Sequence, residues 1–300
     1  MTATLALGTY RCRDVALAAK VAVAAGVEWI DTAPNYGAGT AERALAPILA
    51  AHPRIRVSTK VGFMTREVAA EALAAGVLNR REAGTRHSLA PEFVRWQIHR
   101  SRSELGRRPD VVFLHNPEHA SEGSREARAA RLLSAIEALE EAAAEGAIGG
   151  YGIATWTGFS TGRFDVETLL SMAWTVAGEG HHLRAVQLPV SLVHLEPVVA
   201  AMAGGGVLRD ALAAGVEVFA SAPLHGGELP VMLTPEAVEL VGDGLTAAQA
   251  ALIVPASAPG VCRVLLSSSD PKHWSDAMRA CARPPLEPSR LRRISDVFAA

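Results

Sequence analysis

The chain predicts an α/β fold, a single (β/α)8 TIM-type barrel spanning residues 1–300, and three observations carry that prediction. Short apolar runs alternate with longer Ala- and Leu-rich stretches of helical period, and the alternation repeats eight times from end to end. Most of the short runs cluster Val, Ile, Leu or Phe without strict alternation, as strands covered on both faces do. No GxGxxG follows the first run, so an open doubly wound sheet lacks its signature, and eight βα units in 300 residues match a closed barrel.

The elements follow in order. LALGTY (5–10) leads into DVALAAKVAVAAG, a helical stretch stopped by Gly26. EWIDTA (28–33) runs into the turn residues Pro34, Asn35 and Gly37. IRVSTKV (55–61) opens a long segment, 62–88, with a helical stretch of its own, REVAAEALAAG; it reads either as a substrate lid or as a surface excursion. The next helix, SLAPEFVRWQIHRSRSELG, takes Ser88 as its cap, with Pro91 and Glu92 in the first turn. DVVFLHN (110–116) opens a second long loop, 116–130, before RLLSAIEALEEAAAEG ends on Gly146. The remaining strands are GGYGIATW (149–156), AVQLPV (185–190), VEVFASAPL (216–224) and VCRVLLSSS (261–269). GGG at 204–206 and the PLHGG run with His225 read as turns, and SRLRRISDVF as an amphipathic closing helix with a solvated charged face.

Composition narrows the function classes. Lys+Arg number 29 against Asp+Glu 31, a net charge of −2 without a basic block, which argues against nucleic acid as a partner. Cys12, Cys262 and Cys281 are scattered and odd in number, giving neither a disulfide framework nor a metal-ligand spacing, and a reducing cytoplasm fits them. The expectation is a soluble cytoplasmic protein with no signal peptide and no membrane span. His181, His182 and His194 have no ligand-spaced companions, so no metal site is expected.

In a barrel the residues just past each strand converge on one mouth. The second strand brings Asp31 and, in its loop, Tyr36; the third ends in Lys60 and the fourth in His115. An ammonium near a phenol lowers the phenol's pKa, so Tyr36 gains the means to give or take a proton. Asp31 pairs with Lys60, and His115 directs a substrate oxygen by a hydrogen bond. Such a site protonates oxygen, as a carbonyl receiving a hydride requires. Singly each residue has a plain structural role: an Asp after a strand is a turn residue, a Tyr beside Gly packs on the surface, a strand-end Lys is solvated. At three consecutive strand ends, together, they read as catalytic.

The ordered set DTAPNYG, STK and FLHNPE, followed by GYGIATW, VQLP, FASAPLHGG and SSSDPKHW, resembles the aldo-keto reductase family across essentially the whole chain, closest to the sugar (aldose or galactose) 1-dehydrogenase-like subgroup. The resemblance implies a (β/α)8 barrel, a catalytic tetrad at Asp31, Tyr36, Lys60 and His115, reversible carbonyl reduction, and NADP(H), with NAD(H) as the alternative, lying across the mouth. It places Gly8, Thr9, Tyr10 and Asp31 near the nicotinamide ribose and Gln187 on the carboxamide. Ala154 and Thr155 stand where relatives have a Ser-Asn pair, and Ser221 stands where a tyrosine usually stacks on the nicotinamide. Trp156 is the substitute stacking candidate, or a packing residue under a loop. Leu224 borders the cofactor; Ser267, Ser268, Ser269, Lys272 and His273 face its adenosine phosphates. Met64, Asn116 and Trp156 are the candidate walls for a small carbonyl or sugar substrate. Two alternatives remain: a non-catalytic nicotinamide-binding scaffold or sensor, and a lyase forming a Schiff base on Lys60.

Overall fold

Period and punctuation translate directly into the architecture of the computed structural model, which describes residues 3–120 and 123–298. Eight parallel strands close into a barrel in sequence order: β1 Thr4–Gly8, β2 Trp29–Asp31, β3 Arg56–Val61, β4 Val111–His115, β5 Tyr151–Ala154, β6 Leu183–Pro189, β7 Glu217–Ser221 and β8 Val261–Leu266. The ring closes where β1 pairs with β8, from Thr4 opposite Arg263 to Leu7 opposite Leu266. Around it lie α1 Val15–Ala24, α2 Ala41–Ala51, α3 Arg66–Ala74, α4 Arg80–Thr85, α5 Pro91–Leu105, α6 Arg125–Ala144, α7 Val166–Ala177, α8 Glu196–Met202, α9 Gly206–Ala213, α10 Leu229–Met232, α11 Pro235–Val241, α12 Ala247–Ser257, α13 Pro271–Cys281 and α14 Pro288–Phe298. No helix among the described residues is long and apolar enough to cross a membrane.

Three boundaries differ from the sequence reading, each for a local reason. Several strands stop short of their expected ends, because Asn116 (φ 48°) and Ala222 (φ 50°) take left-handed backbone right at the mouth and turn the chain away. The helix expected from Arg131 starts at Arg125, because the Ser124 hydroxyl accepts from Ala127 N and caps it earlier. The loop after β4 is therefore shorter than 116–130, and its residues 121 and 122 lie outside the described residues. Ser88 is not the cap of α5: Ala90 occupies that position, and the Ser88 hydroxyl accepts from Ala90 N (3.0 Å) while donating to Glu82 (2.8 Å). It ties the end of the long segment to the start of the helix.

The long segment after β3 is a folded excursion. Thr65 caps α3, and Asn79 with Glu82 forms a capping box on α4. Met64, Val68, Ala69, Ala72, Leu78 and Phe93 bury one another in a small core of its own against α5. Its base is closed by a bridge between Phe63 and His87, with Met64 N donating to Arg86 O and Ser88 N to Gly62 O, both at 3.1 Å.

The barrel interior is filled. Trp29 and Phe219 meet edge to face at 5.3 Å, Phe113 packs on Phe219 at 5.5 Å, and the Arg263 guanidinium lies 4.3 Å over Trp29, neutralised by Glu217. This plug leaves the carboxyl ends of the strands as the place for chemistry.

Two buried acids among the described residues, Glu42 and Glu140, lie outside that mouth, and the first has a consequence for stability. Glu42 on α2 is 4% exposed and accepts a 2.5 Å hydrogen bond from the Thr59 hydroxyl of β3. Burial raises its carboxyl from 4.5 to about 7, only partly opposed by the Thr59 hydrogen bond. The unfolded chain ionises this group first, so stability falls as pH climbs from about 4.5 to 7 and levels off above, by roughly 3 kcal/mol. Glu42→Gln is expected to flatten that part of the pH–stability curve and to raise the denaturation midpoint at pH 8. Chemical denaturation at pH 5 and pH 8 checks this; an unchanged slope would show that Glu42 is ionised in the fold.

Candidate active site

Strand order sets three of the four expected side chains at or beside the carboxyl ends of three adjacent strands. Asp31 ends β2 opposite Ser58, Lys60 lies on β3 opposite Phe113, and His115 ends β4 opposite Ala154. Tyr36 arrives by a different route. Past Pro34 the chain makes a short turn, Tyr36–Gly39, in which Gly37 (φ 56°), Ala38 (φ 52°) and Gly39 (φ 87°) are all left-handed. The turn brings the Tyr36 ring edge-on to His115 at 5.9 Å, beside Tyr10 at 5.1 Å, with Lys60 Nζ 5.1 Å from its centroid. The four side chains meet.

Beneath the phenol lies a buried ion pair. Lys60 (1% exposed) donates to Asp31 Oδ2 at 2.5 Å and to Thr32 O at 3.0 Å, leaving one ammonium hydrogen. Asp31 Oδ1 accepts from the Ser58 hydroxyl at 2.8 Å and from Gln187 Nε2 at 3.1 Å. Every charge in the pair is thus hydrogen-bonded, the condition under which burial is tolerated.

The proton affinities correct one expectation. Burial, then the Asp31 carboxylate and the Tyr10 hydroxyl, push the Tyr36 phenol well above its usual range. The ammonium does not acidify it, because Asp31 at 2.5 Å already neutralises Lys60. Tyr36 is therefore a protonated donor at neutral pH. Burial pushes the Lys60 ammonium down, against the pull of Asp31, and pushes the His115 imidazole well below its usual range, helped by the nearby Lys60, His87 and His119. His115 is neutral. Its Nδ1 is buried with no hydrogen-bond partner among the described residues, so Nε2 is the nitrogen left for a substrate.

The other expected positions divide. Gln187 reaches the centre, where one of its two amide hydrogens is donated to Asp31 and the other is left. Thr9 is fully buried, its hydroxyl donating to Asp31 O (3.1 Å) and paired with the Thr32 hydroxyl (2.8 Å), so it braces the strand ends and does not face the mouth. Gly8 O and Tyr10 O both accept from the Ser267 hydroxyl, which ties β8 to the β1 loop; Tyr10 itself stands 56% exposed at the rim. Ser221 ends β7 half-buried, with Leu224 just before the turn His225–Gly227. Met64 is not a wall of the mouth: it lies in the small core of the long segment. Asn116 is on the rim, its N–H donating to Ala154 O at 2.6 Å.

At the β8 end the expected phosphate grip is partly engaged elsewhere. Asp270 caps α13 by accepting from Lys272 N at 2.8 Å, and Lys272 Nζ turns to Asp276 on its own helix at 2.9 Å. Ser268 Oγ and His273 Nδ1 hold one another at 3.0 Å, and Ser269 is exposed beside them.

Residues that sequence reasoning missed complete the rim. Phe63 packs on His115 at 4.9 Å, and His87 Nε2 donates to His115 O at 2.9 Å, so the long segment buttresses the fourth strand end. Arg11 crosses from the β1 loop to the β7 loop, where a Cβ on Gly226 would stand 2.9 Å from its Nη1. Glu118 bonds across to the loop after β5. Sequence spacing does not disclose these contacts, because they form only when distant loops meet. Trp156, 47% exposed, stands against His194 at 5.6 Å, and both help wall a cavity of about 300 Å3 between the segments after β5 and β6. A larger crevice of about 410 Å3 between α12 and α13 holds none of the four central side chains and lies in the helical layer. No group of three or more His, Cys, Asp or Glu side chains among the described residues is arranged to hold a metal ion.

Known proteins resemble this chain at two levels. A D-threo-aldose 1-dehydrogenase from Pseudomonas sp. is 34% identical over 138 residues, 43% of this chain; the match spans only 40% of that relative's length. An aldo/keto reductase from Klebsiella pneumoniae, solved in complex with NADP and acetate, superposes over 98% of this chain and 91% of its own with a TM-score of 0.67 at 19% identity. An aldo-keto reductase from Bacillus halodurans in its holo form gives 0.68 over 99% and 92%, at 16% identity. At such identities the likeness establishes the barrel alone. The match to the aldo/keto reductase family as a whole runs from residue 2 to residue 298, nearly end to end, and the chain belongs to that family.

Proposed function

We propose that this protein is a nicotinamide-dependent oxidoreductase that reduces a small carbonyl, or in reverse oxidises the corresponding alcohol or sugar hemiacetal. One observation carries the reading: a fully hydrogen-bonded Asp31–Lys60 pair lies directly under a protonated phenol and beside a neutral imidazole, all at one mouth. The donor set suits the cofactor, with Gln187 at the centre, a cationic Arg11 across the β1 and β7 loops, and Ser268, Ser269 and His273 at the β8 end. When bound, the nicotinamide supplies or accepts the hydride. Tyr36 gives its proton to the substrate oxygen as negative charge develops there. The remaining Lys60 hydrogen stabilises the phenolate left behind, and Asp31 holds the ammonium in register. His115 Nε2 sets the direction of the oxygen by a hydrogen bond.

NADP(H) is the proposed cofactor, supported by the Klebsiella relative's bound NADP, with NAD(H) the alternative. An aldose is the favoured substrate, supported by the aldose dehydrogenase similar to part of the chain. A Schiff-base role for Lys60 is disfavoured, because two of its hydrogens are already donated and the carboxylate keeps the amine protonated. The test is the nicotinamide absorbance change with aldehydes, ketones and aldoses, using NADPH, NADH and their oxidised forms. Protein-dependent oxidation or reduction supports the reading. No change with any pair would overturn it.

A further inference from the structure

The loop after β5 is held by one atom. Glu118 Oε1 accepts from Thr155 Oγ1 at 2.7 Å, from Trp156 N at 3.0 Å and from Thr157 N at 3.1 Å. The Thr155 hydroxyl in turn accepts from Gly158 N at 2.7 Å. Gly158 has no room for more, since a Cβ there would stand 2.7 Å from Thr155 Oγ1 and collide with Phe164. Glu118 comes from the β4 side, three residues past His115. The same rim is stitched by Asn116 N to Ala154 O (2.6 Å) and Thr155 N to Gln187 O (2.8 Å), and Gln187 bonds Asp31. A continuous chain of hydrogen bonds thus runs from Glu118 to the central ion pair.

A carboxylate that gathers three donors on one oxygen is a strong local anchor. The donors it gathers belong to the residues following Ala154, where the usual Ser-Asn side chains are absent. Thr155 has its only hydroxyl hydrogen committed to Glu118, so it has none to give a ligand. What the clamp fixes is the loop that carries the half-exposed Trp156 and that leaves Ala154, the register partner of His115.

Resting on the oxidoreductase reading above, we propose that Glu118 is a positioning residue for the nicotinamide end of the cofactor, fixing the Thr155–Thr157 loop so that the Trp156 indole forms one wall of the site. Glu118 works through that loop and touches neither reacting atom. The essential feature is the acceptor oxygen Oε1, on which all three donors converge, while Oε2 is buried with no hydrogen-bond partner among the described residues. Glu118→Gln keeps an oxygen acceptor and places its amide where no bond is lost.

The experiment measures NADPH binding by quenching of tryptophan fluorescence, with Trp156→Phe assigning the signal, alongside steady-state kinetics and thermal midpoints. Glu118→Ala is expected to weaken NADPH binding and raise its KM by about tenfold with kcat within about threefold, and Glu118→Gln to restore most of the loss. Thr155→Val, which removes one of the three donors, is expected to show a smaller shift of the same kind and guards against misfolding of the alanine variant. Unchanged NADPH affinity in Glu118→Ala and Thr155→Val, or a loss confined to kcat and thermal midpoint, would overturn the proposal. Absence of NADPH binding by the unmodified protein would instead overturn the functional reading on which it rests.

Discussion

Tyr36→Phe is expected to lower kcat for carbonyl reduction by about 10²–10⁴-fold while leaving nucleotide affinity within a factor of about two. The size follows from what the variant removes. The ring contacts to Tyr10 and His115 persist, so the wall of the mouth stays in place. Only the proton donor is lost, and neither neighbour replaces it: the Lys60 ammonium is held beneath the ring by Asp31 and Thr32, its third hydrogen left for the phenol oxygen that the variant lacks, and the His115 imidazole, pushed well below its usual range, is neutral and no acid. Single-turnover hydride transfer, followed by nicotinamide absorbance with saturating NADPH, isolates the step. Turnover within tenfold of the unmodified protein would remove Tyr36 from the chemistry.

The second large effect is expected at Lys60. Lys60→Met leaves the Asp31 carboxyl without its counter-charge in a site that is 3% exposed, with the Ser58 and Gln187 side chains as its remaining side-chain donors. Breaking a buried pair from one side costs about 3–5 kcal/mol, enough to lower the unfolding midpoint markedly in addition to abolishing turnover. The double variant Asp31→Asn/Lys60→Met separates the two effects. It removes both charges together, so stability should return to a large extent while activity does not. Recovery of activity in the double variant would mean that the pair serves only the fold.

How much of this was legible beforehand differs by kind of feature. Strand and helix order was legible because burial imposes a period on the sequence, and every one of the eight runs became a strand of the barrel. The four central residues were legible because strand ends of a barrel must converge, so spacing along the chain stands in for proximity. Helix starts were less so: Ser124 and Ala90 displace the expected starts because a cap depends on which hydroxyl meets which N–H, and several candidates were in range. Least legible were contacts between loops. Met64 belongs to a private core and Thr9 to an internal brace, while His87 and Arg11 reach the mouth from segments that carry no motif, and Glu118, though it ends FLHNPE, finds its partners in a loop 37 to 39 residues on. The direction of the Tyr36 shift was missed for a related reason. Proximity of an ammonium suggested acidification, but its effect was cancelled by a carboxylate whose distance sequence does not disclose.

The stacked Arg263, Trp29 and Phe219 side chains have a kinetic consequence. With the amino-terminal end stoppered, molecules have one doorway for both arrival and departure. Whatever lodges deepest must come in first and go out last, so two-substrate rate measurements should follow a compulsory sequence rather than a random one.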